Sequence, residues 1–451
     1  MTVEPRRAVA IIGSGPSACY TAQALLKLRR DVDITMFERL PVPYGLIRYG
    51  VAPDHVGTKA VTRQFDRLFT RSGVRFLGNV EVGRDVDLES VRDAFDATVV
   101  ATGLHADAHL PLPGFDDARV VGAGRFMRIL NQHPGDEVSL PALGARVAVV
   151  GNGNVAIDIV RLLAKHETDF EGSDVHSPLL EQASGELRTI EVLGRSLIDQ
   201  AKFTPSLLAE LGRIDDVRYE AFGVDAASLE DAPERSAQAA ALASLLAREQ
   251  PDVPRITVRL RFGVAPVALA AEVDGGAPLR LSVAGPGSFE PQAASTVAEP
   301  ASLDADSVIT AVGFHRGDAH LLHALLGHEQ DVFAAGWARR GPQGTIAESR
   351  AEGQTVAREV EEWLASVDVK PEGERTELLA RLDDVSVSFA EWNVIDEHEQ
   401  RQAGPGRVRA KEQDTERLLR IARGSSESSA AVAPLSSDPS VPEAPTPDSD
   451  N

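Results

Sequence analysis

Two stretches of this 451-residue chain leave its backbone little freedom. Val9–Leu26 reads VAIIGSGPSACYTAQALL, and Val147–Asp158 reads VAVVGNGNVAID. Each is a short apolar strand that enters a glycine turn and then a helix, the opening unit of a doubly wound parallel sheet. In the first, Gly13 makes the tight turn, Gly15 lets a bound group approach the backbone, and Ala18 lets the helix pack on the sheet. Gly151, Gly153 and Ala156 take the same three roles in the second. A helix N-terminus presents free amides and a partial positive charge, so both stretches are expected to hold the pyrophosphate of a dinucleotide. The first would use Gly13, Gly15, Pro16, Ser17 and Ala18, and the second Gly151, Asn152, Gly153, Asn154, Val155 and Ala156.

The end of the next strand says which dinucleotide each unit suits. After the first unit comes TMFERL, whose Glu38 is placed to accept a ribose hydroxyl. After the second comes EVLGRSLID, which puts Arg195 at the strand tip. A base there suits the 2′-phosphate of NADP, which a guanidinium grips with two hydrogen bonds. The bland alternative for Arg195 is a solvated surface arginine.

Residues 8–104 read as alternating strands and helices, and from Arg146 the pattern restarts, with a polar insertion at 165–186. Residues 224–250 suggest a helix, and ITVRLRFGV and PLRLSVAG alternate like antiparallel strands. SVITAVGF and DVFAAGW are further apolar strands, followed by helices near 348–366 and 374–383. From Gly424 the chain is Ser/Pro/Ala-rich with acids and no bases, so 424–451 is expected to be a disordered acidic tail.

Composition narrows the function. At 43% apolar and 25% charged residues the chain is ordinary for a soluble protein, and no apolar run approaches the roughly 20 residues of a membrane span. A short N-terminal apolar run ending in a glycine turn reads as a core strand, which points to a cytoplasmic protein. The single cysteine, Cys19, excludes a CxxC redox pair and a protein-ligated iron–sulfur cluster, and it reads as a small buried residue; no residue is assigned to a metal. A net charge of −22 argues against nucleic acid as the main partner. Residues 1–80 nevertheless hold twelve Lys/Arg against six acids.

Taken together, the motifs resemble those of the adrenodoxin reductase-like ferredoxin–NADP reductases. ERLPVPYGLIRYGVAPDH (Glu38–His55) is the most specific, and GNGNVAIDIVRLL, AGWARRGPQGTI and FAEWNVIDEHE follow at the expected separations. The likeness spans about residues 8–420. It implies an α/β fold of two Rossmann-like domains, of the two-dinucleotide-binding flavoprotein, glutathione-reductase-like kind. The NADP domain, 105–314, would be inserted in a discontinuous FAD domain of 1–104 and 315–423. FAD would lie on the first unit and NADPH on the second, with electrons leaving to an iron–sulfur ferredoxin. The resemblance brings Gly45, Leu46, Thr102, Gly103, Gly336, Trp337, Gly344, Thr345 and Ile346 to FAD, Gly344 serving NADP as well. It also pairs His55 with Glu210 near the nicotinamide in supporting roles, although Glu210 by itself reads as a solvated helix acid.

Two departures stand out. The family carries an arginine pair where this chain has Arg195-Ser196, which admits NADH beside NADPH, and Val56 replaces the proline that usually follows PDH. Lys59, Arg63, Arg67 and Arg71 recur every four residues, which on one helix makes a stripe able to steer an acidic ferredoxin. An ordinary solvated face is the other reading. A monomer is expected. A glutamate-synthase-type reductase subunit and a non-catalytic flavin-binding scaffold are the competing functions.

Overall fold

The computed structural model describes residues 6–136, 140–224, 236–271, 278–285, 301–315, 330–342, 344 and 346–424. Thr345, residues 225–235 of the expected 224–250 helix, and all but Gly424 of the expected tail lie outside the described residues.

Arg7–Ile12 is the middle strand of a five-stranded parallel sheet. The order is Val332–Ala334, Ala97–Val100, Arg7–Ile12, Val32–Phe37, Arg75–Leu77. Both faces are covered, which is why RAVAII is apolar almost throughout. Val9 and Ile11 join a core that includes the Pro16–Leu28 helix, whereas Ala8, Ala10 and Ile12 join an opposite core with Phe37 and Phe95. The outer strand comes from far along the chain, because Val332 pairs in parallel with Thr98 and Ala334 with Val100. The first sheet is thus built from residues before 101 and after 331.

Arg146–Val150 plays the same part in a six-stranded parallel sheet. Its order is Val120–Gly122, Ser307–Thr310, Arg146–Val150, Thr189–Gly194, Ile256–Phe262, Val217–Phe222. Val147 and Val149 enter one core and Ala148 and Val150 the other. Where the chain passes between the sheets, Phe314–His315 pairs antiparallel with Ala106–Asp107.

Ile256–Phe262 departs from the antiparallel reading of its alternating pattern. It is an inner parallel strand between Thr189–Gly194 and Val217–Phe222. The alternation misleads because its polar positions are paired across the sheet. Arg259 donates to Glu191 at 3.1 Å and Glu220 at 2.9 Å, and buried Arg261 donates to Glu191 at 2.7 Å. The antiparallel sheet is instead Ala265–Ala270, Leu279–Ala284 and Ala301–Ala305. The insertion at 165–186 is also more than polar filler. A 3₁₀ turn at Glu167–Phe170 and a helix at Ser177–Ser184 bury Phe170, Val175, Leu179, Leu180 and Ala183 in the core of the second sheet.

Candidate active site: two cradles and a charged cluster beside the second

Both glycine-led helices begin without help from a side chain. Pro16–Leu28 starts at Gly15 and Asn154–Ala164 at Gly153; neither has a side-chain cap or an acid in its first turn. The first amides of a helix lack backbone partners, so these ends keep donors and positive potential for an anion. Gly13 and Gly151 have φ of +106° and +131°, and a Cβ on either would strike a carbonyl, of Ala101 and of Ala311. Gly15 and Gly153 face the other way: a Cβ there would meet nothing within 4 Å. Tight glycines turn each chain, and open glycines line the space a phosphate would fill. Ala18 and Ala156 are fully buried beneath them.

Around the first cradle the expected residues converge. Glu38 follows its strand and accepts from Ser14 N at 3.0 Å, Ser14 Oγ at 2.7 Å and Leu40 N at 3.1 Å. A carboxylate has about four lone-pair sites, so one remains for a ribose hydroxyl. Gly45 lies against Gly15, since its Cβ would be 3.6 Å from the Gly15 Cα, and Gly336 abuts Ser17. Thr102 Cα would be 3.2 Å from a Cβ on Gly13, which brings Thr102 and its neighbour Gly103 to the same edge. Trp337 packs on Phe314, ring centroids 5.2 Å apart. Leu46 stays half-buried at the start of the short Leu46–Tyr49 helix. Gly344 is placed beside Arg340 and Glu348, and Ile346 opens the Ile346–Ser366 helix.

At the second cradle, Asn154 accepts from Thr204 N at 2.7 Å, Val155 is exposed, and the Asn152 amide fills the space against Gly194. The buried Nδ2 of Asn152 has no hydrogen-bond partner. Arg195 and Ser196 are the first residues past Thr189–Gly194; Arg195 is exposed, and Ser196 is half-buried.

His55 and Glu210, 155 positions apart, are brought together: His55 Nε2 lies 3.6 Å from Glu210 Oε2. The sequence reading missed the third member, Asp158, whose Oδ1 is 3.5 Å from the same nitrogen. Its signal was inside GNGNVAID, one turn ahead of Arg161 on the same helix. Arg161, almost fully buried, holds the group together by hydrogen-bonding Asp54 and Asp158, the latter at 2.8 Å, while its Nε lies 3.4 Å from Glu210 Oε2 as an ion pair. Lys165 adds a bond to Asp54 at 2.7 Å. Burial raises the Asp158 carboxyl above its ordinary range, only partly offset by His55 and Arg161.

Lys59 is not part of an exposed stripe. The helix is broken into Val56–Lys59 and Thr62–Thr70, and Arg71 lies past its end. Lys59 turns inward to Asp174 at 2.8 Å and Asn131 at 2.7 Å, where Lys411 joins it, 2.7 Å from Asp174 and 3.0 Å from Asn131. A lysine this deeply placed needs a carboxylate, and Asp174 supplies it. Arg63, Arg67 and Arg71 remain exposed, while Asp66 between them is bonded by the Tyr44 hydroxyl.

Two parallel sheets, each opening on an uncapped glycine-led helix, define a two-dinucleotide oxidoreductase. The pyridine nucleotide-disulphide oxidoreductase family matches residues 7–198. Disulphide chemistry is not available here, because the one cysteine, Cys19, is buried. The chain belongs, within that class, to the adrenodoxin reductase-like ferredoxin–NADP reductases. It is 42% identical to the cindoxin reductase of Citrobacter braakii over 93% of this chain and 92% of that one. Identity is 30% to the NADPH-ferredoxin reductase FprA of Mycobacterium tuberculosis, covering 92% of this chain and 99% of the relative. The human mitochondrial NADPH:adrenodoxin oxidoreductase is also 30% identical, with 93% of each chain covered. The structure of M. tuberculosis FprA in complex with NADPH superposes with a TM-score of 0.81 at 29% identity, over 93% of this chain and all of that one. Among the described residues no helix is long and apolar enough to cross a membrane.

Proposed function

We propose that this chain is an NADPH–ferredoxin reductase that binds FAD on the first cradle and NADPH on the second. The observation that carries the reading is the pair of uncapped helix N-termini, one on each sheet, with His55, Asp158 and Glu210 gathered beside the second. The two glycine cradles fit the groups they would hold: open space above Gly15 and Gly153, and a partly free carboxylate at Glu38. Bound, the cofactors supply hydride transfer between nicotinamide C4 and flavin N5 and single-electron delivery from the flavin.

The residues bind, orient and tune. Gly13, Gly15, Pro16, Ser17 and Ala18 seat the FAD pyrophosphate and Glu38 its ribose. Gly45, Leu46, Thr102, Gly103, Gly336, Trp337, Gly344 and Ile346 surround the flavin and exclude water. Gly151, Asn152, Gly153, Asn154, Val155 and Ala156 seat the NADPH pyrophosphate, and Arg195 grips the 2′-phosphate with Ser196 beside it. Glu210 and Asp158 place negative charge where the nicotinamide becomes a cation, with His55 between them to orient the ring. The division into an FAD domain of 1–104 and 315–423 and an NADP domain of 105–314 belongs to the same reading. It is supported by the two sheets being drawn from separate segments of the chain. An acidic iron–sulfur ferredoxin would dock through Arg63, Arg67 and Arg71. A cytoplasmic location belongs to the same reading.

Purified protein is expected to be yellow, to reduce ferricyanide with NADPH, and to reduce cytochrome c only when a ferredoxin is added. A yellow protein inert with both NADPH and NADH would be a scaffold instead.

A further inference from the structure

Lys202 stands outside every role described so far. It lies in the segment between Arg195 and the Pro205–Leu211 helix that carries Glu210. That segment is tied to the second cradle at two points. Lys202 forms an isolated parallel β-bridge with Gly153, and two residues later Thr204 N donates to Asn154 Oδ1 at 2.7 Å.

In a parallel pair, bridged residues send their side chains to the same face. Gly153 has no side chain, but the direction its Cβ would take is open, with nothing within 4 Å. The Lys202 side chain therefore leaves the backbone on the side where Gly153 admits a phosphate. It is exposed, and among the described residues no hydrogen bond or ion pair engages its ammonium. Arg195, by contrast, sits at the tip of the neighbouring strand, at the place for the 2′-phosphate.

We infer that Lys202 is a binding residue for the dinucleotide pyrophosphate, supplying an ammonium over the N-terminus of the Asn154–Ala164 helix. The inference rests on the second cradle being the NADPH site. Its consequence concerns specificity. The position beside Arg195 holds Ser196, so cationic contact with the 2′-phosphate is weakened, whereas Lys202 adds cationic contact to the part of the ligand that NADPH and NADH share. Affinity for both dinucleotides is kept while the discrimination between them narrows.

Equilibrium titration of the FAD-loaded protein, read from the flavin absorbance change or from heat, tests this without turnover. The probes are NADP+, NAD+ and adenosine 2′-monophosphate, which lacks the pyrophosphate. Lys202→Ala is expected to raise Kd for NADP+ and NAD+ by the same factor, about three- to tenfold at low salt, and to leave adenosine 2′-monophosphate unchanged. Lys202→Arg should restore both. Arg195→Ala should weaken NADP+ and adenosine 2′-monophosphate and spare NAD+. Loss of NADP+ affinity with NAD+ unaffected in Lys202→Ala would place the lysine at the 2′-phosphate and overturn the inference, as would unchanged binding of all three probes. Failure of the underlying reading looks different: the parent protein itself would bind neither dinucleotide. Unchanged flavin content and far-UV circular dichroism show that the exposed substitution leaves the fold intact.

Discussion

Asp158 shows how a single residue escapes a motif search. It sits in the second turn of a helix recognised for its glycines, four places after Asn154. Only the fold places it 3.5 Å from His55. Because burial holds its carboxyl above the ordinary range, Asp158 loses its charge earlier than an exposed acid as pH falls. Activity that depends on that charge is expected to decline on the acid side, and Asp158→Asn should lower kcat by about tenfold and flatten the acid limb of the kcat profile. An unchanged profile in the variant would remove Asp158 from the mechanism. Ser196 invites the opposite experiment. Ser196→Arg should widen the NADPH-over-NADH ratio of kcat/KM by about tenfold to a hundredfold, the worth of one charged phosphate contact. An outright NADH preference in the parent enzyme would overturn the assignment of NADPH as donor.

Among the elements, the two long helices beside the first sheet carry the FAD half. Pro16–Leu28 and Ile346–Ser366 approach so closely that a Cβ on Gly353 would lie 2.9 Å from the backbone at Tyr20 and Thr21. Gly353→Val is expected to cost about 1–3 kcal/mol of stability and to loosen FAD, measured by thermal unfolding and by flavin release. The Thr62–Thr70 helix makes a different prediction. With Lys59 turned inward, steering rests on Arg63, Arg67 and Arg71. Reversing Arg63 and Arg67 to Glu should slow ferredoxin reduction about tenfold at low salt, while ferricyanide reduction stays unchanged. Equal effects on both acceptors would point to damage at the flavin and not to docking.

Over the whole molecule, the buried cluster of Lys59, Lys411, Asp174 and Asn131 joins segments from both ends of the chain to the unit that carries the second sheet. Nearby, Arg48 of the YGLIRYG motif bonds Glu399 of FAEWNVIDEHE at 2.5 and 2.6 Å, both side chains buried. Burial by itself would raise the Asp174 carboxyl, but Lys411 and Lys59 outweigh it and hold Asp174 well below its ordinary value of 3.8. A depressed carboxylate contributes stability that is fully present above its unfolded value and is lost as pH falls through the folded one. Unfolding of the parent should therefore become steeply acid-sensitive below about pH 4. Asp174→Asn should flatten that dependence and cost about 3–5 kcal/mol at pH 7, because Lys59 and Lys411 lose the carboxylate that both of them bond. Denaturant unfolding across pH checks both statements.

Much of this was legible in the chain as written. The parallel strands follow from continuous apolar runs, and the cradles follow from glycines whose spacing only a strand–turn–helix satisfies. Glu38 and Arg195 follow because each comes directly after the strand that succeeds its glycine-led helix, whatever the length of the connection. All of these are local constraints, each set within one strand–helix–strand unit. What only the tertiary structure decided is long-range: that Val332–Ala334 returns to the first sheet, that Ile256–Phe262 is an inner parallel strand, that Asp158 joins His55 and Glu210, and that Lys59 faces Asp174 instead of solvent. A charge repeat every four residues looks the same in sequence whether its ammonium groups meet water or a buried carboxylate. The partner that settles the matter is 115 residues away, and only folding brings it within 2.8 Å.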